Sequence, residues 1–163
     1  TAGFGKKLIF PAGTYLTTTW LLKTLTADSQ WVAEGPVTIK YTGTVNPYYM
    51  FELELNGHNF TMTGPFTLDA NSLTAYGIIV YNWNSGVIAM DKAAYLYMDD
   101  VKAKNCYQTT YGSSAIGIHI YGAYKQVRLD DCGAYNISRA NGTGNPGYFY
   151  PVSFAPGLGY NHS

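Results

Sequence analysis

Leu96-Tyr-Met-Asp-Asp-Val-Lys-Ala103 and Val127-Arg-Leu-Asp-Asp-Cys-Gly-Ala134 are one phrase written twice. Each runs apolar, outward, apolar, then an Asp-Asp corner, then a second short alternating run. A looser copy lies upstream at Phe60-Thr-Met-Thr-Gly-Pro-Phe-Thr-Leu68, with Thr63-Gly64 at the corner. Met62 to Met98 is 36 residues, and Met98 to Leu129 is 31. A repeat of this length implies stacked units, because one unit cannot bury its own apolar face without a neighbour. The alternation within each copy has the period of a strand rather than a helix. Together they predict an all-β solenoid.

Working outward from the repeats, the register predicts three short strands per coil. One sheet takes Phe51–Leu55, Gly77–Tyr81 and Ile116–Tyr121, with a fourth member within Phe149–Phe154. A second takes Phe60–Met62, Leu96–Met98 and Val127–Leu129, and a third takes Phe66–Leu68, Val101–Ala103 and Cys132–Ala134. Inward positions on the first are Leu53, Leu55, Ile78, Val80, Ile118 and Ile120; Met98 and Leu129 face inward on the second. Ile79, Asp99, His119 and Asp130 are expected to point out, since a one-residue slip inverts every face. Lys7–Leu16 reads as strand, turn, strand, bent at Pro11-Ala12-Gly13. Asn56-Gly57-His58 is a tight turn, whereas Asn82 to Tyr95 is a long connection that a solenoid tolerates as an outward projection.

The composition agrees with many turns and little helix. Of 163 residues, 12% are charged, about half the usual quarter. Aromatics reach 16%, with 16 Tyr, and 18 Gly and 7 Pro punctuate short apolar runs. Formal net charge is zero with no Lys/Arg-rich stretch, which argues against nucleic acid or anionic membrane as partners. No apolar run has the length of a membrane span, so no membrane insertion is expected. The chain, 1–163, reads as one domain and as a piece of a longer polypeptide. Cys106 and Cys132 are too few for a disulfide framework or a zinc site, and Cys132 reads as a buried thiol. No metal and no cofactor are expected.

"Phe-Pro-Ala-Gly-Thr-Tyr" at 10–15, "Val-Lys-Ala-Lys-Asn-Cys" at 101–106, "Gly-Ile-His-Ile" at 117–120 and "Val-Arg-Leu-Asp-Asp-Cys" at 127–132 carry a resemblance. They look like the pectate-lyase-like right-handed parallel β-helix superfamily, and within it the bacteriophage tailspike or capsule-depolymerase branch. The resemblance covers nearly the whole chain. It implies a single-stranded right-handed parallel β-helix of about five coils and a parallel homotrimer. It also implies a virion (phage tail) or extracellular location, with a bacterial capsular or lipopolysaccharide as the partner. In that superfamily the groove along one sheet commonly holds polysaccharide.

Two sets of acids are candidates for glycosidic hydrolysis. Glu52 and Glu54 face outward on the first sheet, in register with Ile79 and Tyr81 and then His119 and Tyr121. Sugar rings lay flat C–H faces on aromatics, which makes Tyr81, Tyr121 and Trp83 candidate subsite floors, with His119 beside them. Glu54 and His119 fall two coils apart, roughly 10 Å. The other pair, Asp99 and Asp130, stacks at one strand spacing, roughly 4.8 Å, near the separation retaining glycosidases use. Their neighbours Asp100 and Asp131 sit where Asp tolerates a left-handed turn and serve as structural corners. Lys102 and Arg128 lie close enough in sequence to neutralise the doublets.

Other readings are weaker. Asp doublets and "Gly-Ile-His-Ile" are similar to polygalacturonases, but the Asn-Thr-Asp, Gly-His-Gly and Arg-Ile-Lys motifs of that family are absent. Pectate lyases need calcium-binding carboxylates and a catalytic Arg or Lys, and Arg is confined to Arg128 and Arg139. Gly142-Thr-Gly-Asn-Pro-Gly147 matches G-x-G-x-x-G without the following helix and reads as a turn. Asn136, Asn141 and Asn161 head glycosylation sequons that matter only in a eukaryotic secreted protein. A secreted pectinase-like hydrolase or lyase and a non-catalytic glycan-binding helix remain as alternatives.

Overall fold

In a computed structural model, residues 5–44, 48–82, 93–109, 114–139 and 149–156 are described, the last stretch as backbone apart from Val152. These residues form strands and turns and no helix. In chain order the strands are β1 (Lys6–Phe10), β2 (Gly13–Thr17), β3 (Leu21–Thr24), β4 (Ser29–Ala33), β5 (Val37–Tyr41), β6 (Tyr49–Glu54), β7 (Phe60–Asp69) and β8 (Tyr76–Asn82). They continue with β9 (Ala94–Lys104), β10 (Tyr107–Gln108), β11 (Ala115–Gly122), β12 (Tyr124–Asp130), β13 (Gly133–Tyr135), β14 (Ser138–Arg139) and β15 (Phe149–Pro156). Every pairing among them is parallel, and no two consecutive strands pair.

The pairing register follows the repeat. Trp31, Met62, Met98 and Leu129 lie side by side across β4, β7, β9 and β12. The sheet that carries the glutamates runs β3-β6-β8-β11-β15. It brings Leu21, Phe51, Ile78, Ile118 and Val152 into one row. Apolar residues in these rows form a continuous core: Leu53, Ile78, Val80, Met98 and Ile118 are wholly buried, and Ile120 nearly so. Each such side chain contributes about 1.5–3 kcal/mol relative to exposure. Leu129 packs against the same core but is only partly buried, because no described strand pairs with β12 on its far side.

Three expectations are corrected. The second and third predicted sheets are not separate: β7 and β9 run unbroken through the corner, so both rows belong to one eight-stranded sheet. The corner survives as a register shift between Thr63 and Phe66, and it separates two strands at Pro11-Ala12, at Glu34-Gly35-Pro36 and at Asp131-Cys132. Strands β3, β4 and β5 and the small β10–β14 sheet were not anticipated. Ile79, expected at the surface, is 3% exposed, although it lies outside the core cluster. It sits between Glu52 and His119 on its sheet, and the outer-face side chains leave it little water-accessible surface.

The corners have the expected chemistry. Asp100 and Asp131 adopt φ of 54° and 46°, the left-handed region Asp tolerates. Lys102 bonds both, at 3.4 Å to Asp100 and 2.8 Å to Asp131, so one cation bridges two stacked corners. At the equivalent corner of the looser copy, Gly64 has φ 101°, and a Cβ there would lie 2.8 Å from the Ala33 carbonyl oxygen. That close approach explains the glycine. A second line of corners uses asparagine: Asn71, Asn105 and Asn136 have φ of 53°, 56° and 54°. Cys106 is fully buried and Cys132 partly, both as free thiols.

Candidate functional site

The outward residues of the five-stranded sheet form two parallel files. Glu52, Ile79 and His119 occupy one, and Glu54, Tyr81 and Tyr121 the other. This is the register the sequence predicts. Strand alternation puts both glutamates on one side of β6, about 7 Å apart along the strand, with Leu53 between them in the core. At the start of the same strands stand Tyr49 and Tyr76, which the sequence analysis missed. Tyr48 at 44% exposure stacks beside them. The signal was present in the Tyr48-Tyr49 pair and in Tyr76 just before a glycine.

The aromatic rings touch in a chain. Tyr48 lies 4.9 Å from Tyr76, Tyr76 packs edge-on against His119 at 5.8 Å, and His119 stacks with Tyr121 at 6.4 Å. Tyr121 meets Tyr81 edge-on at 6.1 Å, and the Tyr81 hydroxyl donates to the Tyr49 hydroxyl at 3.3 Å. Centroid separations of 4.5–7 Å are those aromatic pairs prefer. The rings therefore hold one another in place, forming a stiff strip that spans three strands.

Electrostatics differ along the strip. Burial first, then the neighbouring Glu54 charge, pushes the Glu52 carboxyl above its ordinary value. Glu54 accepts a hydrogen bond from the Thr24 hydroxyl at 2.9 Å, one strand away. Burial, with the hydrogen bond to Tyr49, pushes the Tyr81 phenol well up, so it stays protonated. Burial lowers His119, and its Nδ1 is enclosed without a hydrogen-bond partner, so the ring is neutral near pH 7.

Asp99 and Asp130 are neighbours in register, as expected, but on the other sheet, one strand from Thr63. Arg128 holds Asp130 at 2.6 Å and draws its carboxyl below the usual range. Tyr97, whose ring lies 5.2 Å from the Arg128 guanidinium, completes the cluster. An acid so held is ionised near neutral pH and has no proton to donate. Trp83, the glycine turn at 142–147 and the sequons at Asn141 and Asn161 lie outside the described residues. No group of three His, Cys, Asp or Glu able to hold a metal occurs among the described residues. The chain matches no protein-family model, no curated protein and no solved structure.

Proposed function

We propose that this chain is a right-handed parallel β-helix segment of about five coils from a phage tailspike-type protein. In this reading it binds, and hydrolyses, a bacterial surface polysaccharide of the capsular or lipopolysaccharide kind. The observation that carries the reading is the outward file of Glu54, Tyr81 and Tyr121 beside that of Glu52, Ile79 and His119. Rows of stacked parallel strands support the solenoid. A tyrosine strip with two carboxylates beside it matches what a glycan needs, apolar faces for ring C–H groups and acids at the glycosidic oxygen.

For hydrolysis the pair Glu52 and Glu54 fits best. Their spacing of about 7 Å along the strand falls in the 6.5–9.5 Å range of inverting glycosidases. Glu52, raised by burial, is suited to be the general acid. Glu54 then activates water on the other side of the bond, with Thr24 orienting its carboxylate. Asp99 and Asp130 are the second candidate pair and the weaker one, given the Arg128 ion pair. The homotrimer and the virion or extracellular location belong to the same proposal. Low charge and exposed aromatics such as Trp20 and Tyr135 support association.

The test is incubation of the protein with capsular and lipopolysaccharide preparations and analysis for released oligosaccharides. Glu52→Gln keeps the shape but cannot donate a proton, so turnover is expected to fall by about 100-fold or more with binding retained. Turnover unchanged in Glu52→Gln, Glu54→Gln, Asp99→Asn and Asp130→Asn alike removes this segment as the catalytic site. An unsaturated product absorbing in the ultraviolet makes the enzyme a lyase instead. Binding without any released fragment favours the non-catalytic alternative.

A further inference from the structure

Resting on the reading of this sheet as a glycan face, we infer that the sugar it takes is uncharged, built of neutral hexoses or N-acetylhexosamines, and that uronate-bearing polymers are rejected. The outward files of the sheet, among the described residues, carry Glu52 and Glu54 and neither lysine nor arginine. Lys23 is on the same sheet but in the Leu53 row, off the outward files. His119, the only base in the files, is half-buried with its Nδ1 enclosed, which disfavours the charged ring.

Three cations of the other sheet are already engaged. Lys102 is bound by Asp100 and Asp131, Lys104 by Asp69 and Arg128 by Asp130, all on the eight-stranded sheet. A carboxylate on an incoming sugar thus meets the Glu54 charge, and that of Glu52 wherever the pH ionises it, with no compensating cation in the described outward files. At about 6 Å and the dielectric of water, two such repulsions together weaken binding about tenfold. A neutral ring loses nothing there. Its C–H face lies against Tyr81 and Tyr121, and its hydroxyls donate to the two carboxylates, bonds that charge strengthens.

The experiment uses immobilised bacterial polysaccharides, each in native form and after carbodiimide–borohydride reduction, which turns uronates into hexoses without changing linkage. Binding of the whole protein is read by biolayer interferometry. Expected, at a pH that ionises both glutamates, is binding to neutral polymers, with acidic ones gaining about tenfold on reduction. The Glu52→Gln/Glu54→Gln double variant is expected to lose that gain. An acidic polymer held as tightly as its reduced form overturns the charge preference while leaving the glycan reading intact. No binding to any polymer in either form overturns both.

Discussion

Asn136 stands directly over Asn105, its Nδ2 donating to the Asn105 Oδ1 at 3.2 Å, and both residues are in the left-handed conformation. Asn105 in turn donates through Nδ2 to Asp69 Oδ1 at 2.8 Å. Three successive corners are thereby tied by side chains as well as by backbone. Asparagine serves because its short amide tolerates positive φ and carries both a donor and an acceptor.

Replacing Asn105 by Ala removes both side-chain bonds and forces a Cβ residue to keep φ near 56°. Loss of about 2 kcal/mol is expected, seen as a lower urea midpoint. Asn105→Gly relieves the backbone and is expected to lose only about 1 kcal/mol. Equal losses in the two variants would show that the left-handed backbone contributes nothing.

Acid stability should depend on Asp69. Burial alone raises this carboxyl, but Asn105, the Asn71 amide and Lys104 at 3.4 Å together bring it below its ordinary 3.8. A depressed carboxyl contributes stability that is present above pH 3.8 and lost as pH falls through its lower folded value. His119 acts in the same direction at higher pH: its depressed value removes stability as pH falls below 6.5. Thermal melts across pH 2–7 should therefore show a shallow decline below pH 6.5 and a steeper one below 3.8. Asp69→Asn should shrink the lower step, leaving the part due to Asp130, and leave the upper.

Two glycines make a matched packing test. A Cβ at Gly77 would lie 2.7 Å from both the Ala103 Cβ and the Gly117 carbonyl oxygen, whereas at Gly133 it meets nothing within 4 Å. Gly77→Ala is expected to cost about 1–3 kcal/mol by overpacking, and Gly133→Ala to be neutral in the same denaturant titration.

If the chain turns over a glycan, the pH dependence of turnover tests the proposed acid. Glu52 must carry its proton to act, so activity should fall as pH rises through its value, which lies above the usual 4.5. If activity is retained unchanged into the alkaline range, Glu52 is not the donor.

Much of this was legible because period-2 alternation fixes faces. Once Met62, Met98 and Leu129 are aligned, Ile78, Val80, Ile118 and Ile120 must fall inside, and they do. Glu52 and Glu54 must then share a face with His119 and Tyr121, as they do. What escaped has physical reasons too. Strands β4 and β5 lack the Asp-Asp corner, having Glu34-Gly35-Pro36 instead, although Val37-Thr-Ile-Lys-Tyr41 alternates cleanly. The row that reads Met62 and Met98 holds Trp31 there, which hid the repeat. Tyr49 and Tyr76 escaped because alternation counts them on the core side with Phe51 and Ile78, two residues further along the same strands. Burial of Ile79 depends on the reach of its neighbours, which alternation does not encode.

The tyrosine strip of the five-stranded sheet is the proposed glycan surface. Titration calorimetry with a polysaccharide fragment that the protein binds, comparing three proteins, tests this most directly. The Tyr81→Ala/Tyr121→Ala double variant removes two rings of the strip, and Tyr95→Ala removes an exposed ring 49% open on the other sheet. The account predicts binding weakened about tenfold or more in the double variant and unchanged in Tyr95→Ala. Wild-type affinity in the double variant, its fold intact, would contradict it.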